Sequence, residues 1–202
     1  MSNLTATDGI IIIKLGGSLS RSDTLVNCLN AVEKNYQGRA VVIVPGGGAF
    51  ADQVRLAQQQ WQFDDTTAHH MALLAMQQMA LMFKGLKPDF AIADTVLAIQ
   101  DQLDRKKTVI WSPDIIELDN AGIEASWDIT SDSLAAWLAK TVLATELILI
   151  KSAAIDAELS LHQLAEQNIV DKAFCDFVTQ AAFKTQVINA QSWVDSLAML
   201  VT

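Results

Sequence analysis

Lysine is costly to bury without a partner, yet Lys14 stands inside the apolar run "IIIIKLGGS" of residues 10–18, two residues before a glycine pair. From that position its ammonium reaches an anion held over Gly16, Gly17 and Ser18. A second apolar run, "AVVIVPGGG" at residues 40–48, ends in Gly46, Gly47 and Gly48. Glycine-rich turns after strands let the backbone approach a ligand closely, and the N–H groups that open the next helix favour anions. One such loop suits one phosphate group, whereas two facing loops suit a phosphate passed from a donor to an acceptor. Neither loop is a GxxxxGK[ST] phosphate loop or a GxGxxG dinucleotide turn, and either one alone reads equally well as an ordinary turn.

A third stretch, "SWDITSDSLAAWLA" at residues 126–139, places Asp128, Thr130, Ser131, Asp132 and Ser133 immediately ahead of an apolar helix. Part of that pattern is helix capping, with Ser131 as the expected N-cap and acidic residues complementing the helix dipole. Asp52 follows Gly48 by four residues, in the first turn of the next helix. A carboxylate there suits a cationic acceptor, and Arg55, one turn on, reads equally as its partner. His69 and His70 are adjacent and so face different ways, which argues against a shared metal; no metal site is expected. Trp127 suits either the core or the face of a flat ring.

These residues need a scaffold that brings distant loops together. Residues Ile10–Leu15, Ala40–Val44, Phe90–Ala93, Val109–Trp111, Leu147–Ile150 and Gln186–Asn189 read as strands, most of them apolar throughout. That pattern suits strands covered on both faces. Between them, "TTAHHMALLAMQQMALMFKG" reads as a helix capped by Thr66 or Thr67 and stopped at Gly85, and "SDSLAAWLAKTVLA" as another. The methionines and aromatics of residues 71–83 read as core. Strand and helix alternate, which predicts an α/β fold: a mostly parallel central sheet with helices on both faces, in one domain over residues 1–202.

The chain has 202 residues, a net charge of −9 and a pI near 4.6. That balance argues against nucleic acid or an anionic membrane as the main partner. Cys28 and Cys175 lie far apart and read as free thiols of a reducing compartment. No basic leader precedes an apolar segment, and no apolar stretch approaches the roughly 20 residues of a membrane span. A cytoplasmic protein is expected.

Taken together, "IIIKLGGSL", "VVIVPGGGAFADQVR" and "ITSDSLAA" resemble the first strand and loop, the second strand and loop, and the acidic helix start of the amino acid kinase family. The resemblance covers essentially the whole chain. More narrowly, "GGGAFADQVR", "AHHMALLAM", "SWDITSDSLA" and "NIVDKAF" resemble a branch serving methanofuran or methylofuran biosynthesis, whose enzymes phosphorylate an aminomethylfuran methyl phosphate with ATP to give the diphosphate. The resemblance implies a three-layer sandwich, ATP and Mg²⁺ as cofactors, a small-molecule substrate and a homo-oligomer.

It also implies roles. Lys14 becomes the cation on the transferring phosphoryl group, and Gly16, Gly17, Ser18 and Gly46 to Gly48 its backbone cradle. Asp132 becomes the carboxylate that orients Lys14. Lys151, at a strand's carboxyl end, is the first choice for a second phosphate lysine and Lys172 the next. Asp52 stands where isopentenyl phosphate kinases carry a histidine, and with Arg55, His69, Trp127, Thr130 and Ser131 it becomes a substrate-binding residue. The chain departs from the family after "ELILI", where "KSAAIDAEL" replaces a TDVDGVY-like segment, so a shortened nucleotide-binding half is expected. Two other readings remain open: a kinase of a carboxylate, forming an acyl phosphate, and a non-catalytic ligand-binding subunit.

Overall fold

The structure, a computed structural model, describes residues 9–199. In chain order its elements are β1 (Ile11–Leu15), a 3₁₀ turn (Gly17–Arg21), α1 (Thr24–Asn35), β2 (Val41–Pro45), α2 (Gly48–Trp61), α3 (Asp65–Leu86), β3 (Ala91–Ala93) and α4 (Val96–Asp104). There follow β4 (Val109–Trp111), α5 (Ile115–Asn120), α6 (Ser131–Thr141), β5 (Glu146–Lys151), α7 (Leu161–Glu166), α8 (Phe174–Val178), β6 (Lys184–Asn189) and α9 (Ala190–Met199). The six strands form one sheet in the order β3-β4-β2-β1-β5-β6, every pair parallel.

Alternate residues of each strand face opposite layers. Ile12, Val42, Val44, Leu147 and Leu149 point to one side, under Ile99 of α4, Leu118 of α5, Leu134 and Leu138 of α6 and Phe174 of α8. Ile11, Ile13, Leu15, Ile43, Ile148 and Ile150 point to the other, under Leu25, Leu29 and Val32 of α1, Trp193 of α9 and Met79 and Phe83 of α3. Helices on both faces explain why these strands are apolar throughout, and the expected three-layer α/β arrangement is what forms.

Helix ends differ from the sequence expectation. Asp64, not Thr66 or Thr67, caps α3 by accepting a 2.7 Å hydrogen bond from the Thr67 N–H. Gly85 does not stop α3, which continues to Leu86. Lys84 closes that end, its Nζ donating to the carbonyls of Pro88 and Phe90 at 2.6 Å each. Both cysteines are buried and free. Among the described residues no helix is long and apolar enough to cross a membrane.

Candidate active site

In an open parallel sheet, ligands sit beyond the carboxyl ends of the strands where the strand order reverses. Here that point is β1, the third strand in space from one end but the first in sequence, flanked by β2 and β5. Lys14 shares a face with Ile12 and lies in register with Leu149, so Lys151, two residues further along β5, projects from the same face. The first turn of α6 covers that spot and lowers Asp132 between the two lysines. Lys14 Nζ stands 2.7 Å from Oδ1 of Asp132, and Lys151 Nζ donates to Oδ2 at 2.5 Å. Asp132 is 2% exposed and Lys14 4%. A carboxylate so deep survives as a charge only because it is paired. Burial pushes its pKa up, but the two lysines outweigh burial and hold it at about 2. Burial and the Lys14 charge depress the Lys151 ammonium.

The helix that delivers Asp132 is capped from elsewhere in the chain. Thr130, not Ser131, is the N-cap residue of α6, and its side chain does not cap the helix. Instead Asp171 accepts from the Thr130 N–H and the Ser133 N–H at 2.9 Å each and from the Thr130 hydroxyl at 2.5 Å. Its backbone N–H donates back to Asp132 Oδ2 at 3.3 Å. Burial, then the Asp132 charge, raises the Asp171 pKa, opposed by those hydrogen bonds. Sequence reading missed Asp171, although it lies in the quoted stretch "NIVDKAF"; a single acid after a short helix carries no local signal of a partner 38 residues upstream. Its neighbour Lys172 turns outward to Asp128, 3.1 Å away at the surface, which leaves Lys151 as the second lysine of the cluster.

The glycine loops meet back to back. A Cβ on Gly17 would lie 2.3 Å from the Gly48 nitrogen, and one on Gly46 would lie 2.5 Å from the Gly17 nitrogen. No side chain fits, so the double glycine signature is first a demand of loop-on-loop contact. It also sorts the expected cradle. The Gly16 N–H is spent on Ile150 and the Gly46 N–H on Leu15, both at 2.9 Å, extending the sheet. As donors to an anion these two are therefore excluded. The N–H groups of Gly17, Ser18, Gly47 and Gly48 take no protein acceptor among the described residues. They open the 3₁₀ turn and α2, where helix geometry leaves donors unpaired. Ser18 Oγ lies 2.8 Å from Ser152 Oγ, joining the first loop to the end of β5.

Two clefts result. One, of about 230 Å³, is lined by Gly17, Ser18, Gly46 to Gly48, Arg21, Asp52, Arg55, Thr130 and Ser131. The other, of about 370 Å³, contains Lys14, Lys151, Asp132, Asp171 and Trp127, and shares Arg55 and Thr130 with the first. A third groove, of about 500 Å³, adjoins the second through Asn168 and Lys172. Asp52 pairs with Arg21 at 2.6 Å across the mouth of the first cleft, not with Arg55. Arg55 lies over the Trp127 ring, 4.2 Å from its centroid, and the indole Nε1 donates to Gln58 Oε1 at 2.6 Å. His69 is buried against Trp127 and Thr130 in a small apolar cavity, and burial lowers its pKa. His70 turns away to Asp119, 3.0 Å distant.

The described residues contain no group of three or more His, Cys, Asp or Glu suited to a metal ion. Both Asp132 oxygens face ammonium groups and Asp171 is committed to α6, so this donor set does not fit a protein-held Mg²⁺.

Residues 9–154 match the amino acid kinase family. Over 142 residues the chain is 31% identical to the [5-(aminomethyl)furan-3-yl]methyl phosphate kinase of Methanocaldococcus jannaschii, a match covering 68% of this chain and 63% of that relative's length. Among solved structures, the uridylate kinase of Archaeoglobus fulgidus superposes with a TM-score of 0.69 at 16% identity, over 94% of this chain and 95% of that one. The carbamate kinase of Giardia lamblia bound to AMP-PNP gives 0.62 at 12% identity, over 96% of each chain.

Proposed function

The chain belongs to the amino acid kinase family, and from that membership we propose that it transfers the γ-phosphoryl group of ATP to a small phosphomonoester. The observation that carries this reading is Asp132 holding Lys14 and Lys151 beside loops whose N–H groups are unspent. Such a site gathers positive charge where phosphates converge and offers no base. A phosphomonoester needs none, because its oxygen is already anionic. That oxygen attacks the γ-phosphorus, the bond from the γ-phosphorus to its bridging oxygen breaks, and ADP leaves with the electron pair. The product is a diphosphate ester. Lys14, Lys151 and the free N–H groups stabilise charge on the transferring group, the electrostatic contribution expected of preorganised donors.

The nucleotide occupies the lysine cleft, its phosphates toward Lys14 and Lys151 and its base in the adjoining groove of His162, Ala165, Glu166 and Cys175. That groove is built from the segment after "KSAAIDAEL", so the half that holds the nucleotide is short but has a place for it. Mg²⁺, where it takes part, enters on the nucleotide phosphates. The acceptor occupies the glycine-loop cleft. Asp52 at its mouth suits an ammonium, which favours an aminomethyl-bearing acceptor. The Methanocaldococcus relative, named for an aminomethylfuran phosphate, supports the same choice, and with it a place in methylofuran-type cofactor biosynthesis.

The deciding experiment follows ADP and diphosphate formation from ATP and an aminomethylfuran methyl phosphate. Melting scans with ATP and ADP run beside it, since a ligand that binds only the native state raises its stability. Turnover of the phosphomonoester supports the reading. Transfer to carboxylates alone, or the absence of a nucleotide-dependent shift, overturns it.

A further inference from the structure

Among the described residues, every cation lining the two clefts has a carboxylate partner, with one exception. Lys14 and Lys151 share Asp132, Arg21 pairs with Asp52, and Lys172 pairs with Asp128. Arg55 has no ion-pair or hydrogen-bond partner among the described residues. Its guanidinium is held over the Trp127 ring at 4.2 Å instead, and that ring is fixed in turn by Gln58. An aromatic face fixes a guanidinium without consuming its N–H donors. Among the described residues Arg55 is also the one charged side chain that lines both the glycine-loop cleft and the lysine cleft. An unspent fork of donors thus stands on the boundary between the place for an acceptor and the place for a donor.

We propose that Arg55 is a catalytic residue whose guanidinium grips the non-bridging oxygens of the phosphoryl group as it crosses between the clefts. The inference rests on the phosphotransferase reading above. Its physical basis is charge and geometry. In the lysine cleft Lys14 and Lys151 stand against two carboxyl groups, Asp132 and the Asp171 that caps α6. Three phosphate groups converge in the transition state, and Arg55 adds a cation with no carboxylate against it and with the planar geometry that matches a phosphoryl group. No bond to Arg55 forms and it keeps its protons.

The test compares wild type with Arg55→Gln, Arg55→Lys and Trp127→Phe. Arg55→Gln should lower kcat about 10²- to 10³-fold, the loss seen when one transition-state donor is removed. KM for ATP and for the acceptor should stay within about threefold, which separates a transition-state contact from ground-state binding. Arg55→Lys should recover part of the loss. ADP, aluminium fluoride and the acceptor together should raise the wild-type melting midpoint beyond ADP and acceptor alone, and Arg55→Gln should lose that increment. Wild-type kcat in Arg55→Gln overturns the proposal, as does a rise in acceptor KM alone. Trp127→Phe keeps an aromatic face under the guanidinium and should lose less than Arg55→Gln; a larger loss than in Arg55→Gln would make the indole the working group and overturns the proposal. Should wild type phosphorylate no phosphomonoester, the functional reading fails by itself, and ADP with aluminium fluoride, without an acceptor, then serves as the probe. It should raise the melting midpoint of wild type beyond ADP alone and that of Arg55→Gln less, and equal increments overturn the anion-gripping role.

Discussion

The Lys14 ammonium and the Asp132 carboxylate meet at 2.7 Å with only 4% and 3% of their side chains open to solvent. Lys151 holds the other oxygen of the same carboxylate. Lys14→Met should therefore leave Asp132 neutralised and the apolar face of β1 filled, so the fold persists. Phosphoryl transfer should fall on the order of 10³-fold, as for loss of other preorganised donors. Turnover close to wild type in Lys14→Met would show that its charge serves the fold alone.

Asp132→Asn behaves differently. As a residue of a helix start, it looks like a mild change, because asparagine also caps helices. The cap of α6 is provided by Asp171, however, and the substitution leaves two ammonium groups facing a neutral amide in the interior. Breaking a buried pair costs about 3–5 kcal/mol, so both stability and activity should fall. Urea unfolding beside the transfer assay checks this, and a variant as stable as wild type contradicts the burial argument.

Acid should expose the same charge. The folded Asp132 pKa of about 2 lies below the unfolded value of about 3.9. On acidification the unfolded chain takes up the proton first, so the stabilisation is complete above about pH 5 and disappears as pH falls through 2. The stability gap between wild type and Asp132→Asn should narrow over that window by roughly 2 kcal/mol. Asp171 acts with the opposite sign, since its raised pKa means that ionising it costs stability. Denaturant midpoints at intervals from pH 5 to 2 measure the gap, and a constant gap would mean that Asp132 titrates as an ordinary carboxyl.

The Arg21–Asp52 bridge, 2.6 Å long with Arg21 67% exposed, competes with any ammonium that the acceptor brings to Asp52. Asp52→Asn should raise KM roughly tenfold for an acceptor with an aminomethyl group, given about 1.5–3 kcal/mol for a charged hydrogen bond. An acceptor without the amine should be unaffected. Arg21→Gln should lower KM for the amine-bearing acceptor by about two- to fivefold, because an exposed pair is worth only about 0.2–1 kcal/mol. Steady-state kinetics on the two acceptors settle the matter, and equal effects on both would confine Asp52 to its helix.

Gly17→Ala tests the loop contact. Its Cβ would sit 2.3 Å from the Gly48 nitrogen, against backbone that cannot swing away like a side chain. The loops must part, at a cost of about 1–3 kcal/mol for overpacking, and nucleotide affinity should drop with them. Calorimetry with ATP and a melting scan report the two effects together.

Much of this was legible in sequence for a physical reason. Runs such as "IIIIKL" and "AVVIV" have one stable use, as strands covered on both faces, and a lysine inside one has to find an anion. Asp132 was legible because it crowds a helix start. What escaped were contacts between segments far apart in the chain. Helical spacing offers Asp52 either a cationic acceptor or Arg55, whereas the partner it takes, Arg21, comes from the turn after β1. Asp171 escaped in the same way. Sequence makes every glycine of the two loops a donor to a ligand, and only the sheet shows that Gly16 and Gly46 have already spent their N–H groups on Ile150 and Leu15.

The position of β1 bears on how the chain is made. It comes first in sequence among the six described strands, yet it takes the middle of the sheet, with β5 along one side. Until residues 146–151 have emerged, a nascent chain can pair β1 only with β2, and its other edge stays open along Ile11–Leu15 with Lys14 deprived of its carboxylate partner's helix cap. Parallel pairing across so long a separation is slow, and open apolar edges invite association. Synthesis of this protein thus passes through an interval in which one edge of its central strand is open, and the segment from residue 146 onward both shields that edge and completes the Lys14–Asp132–Lys151 cluster.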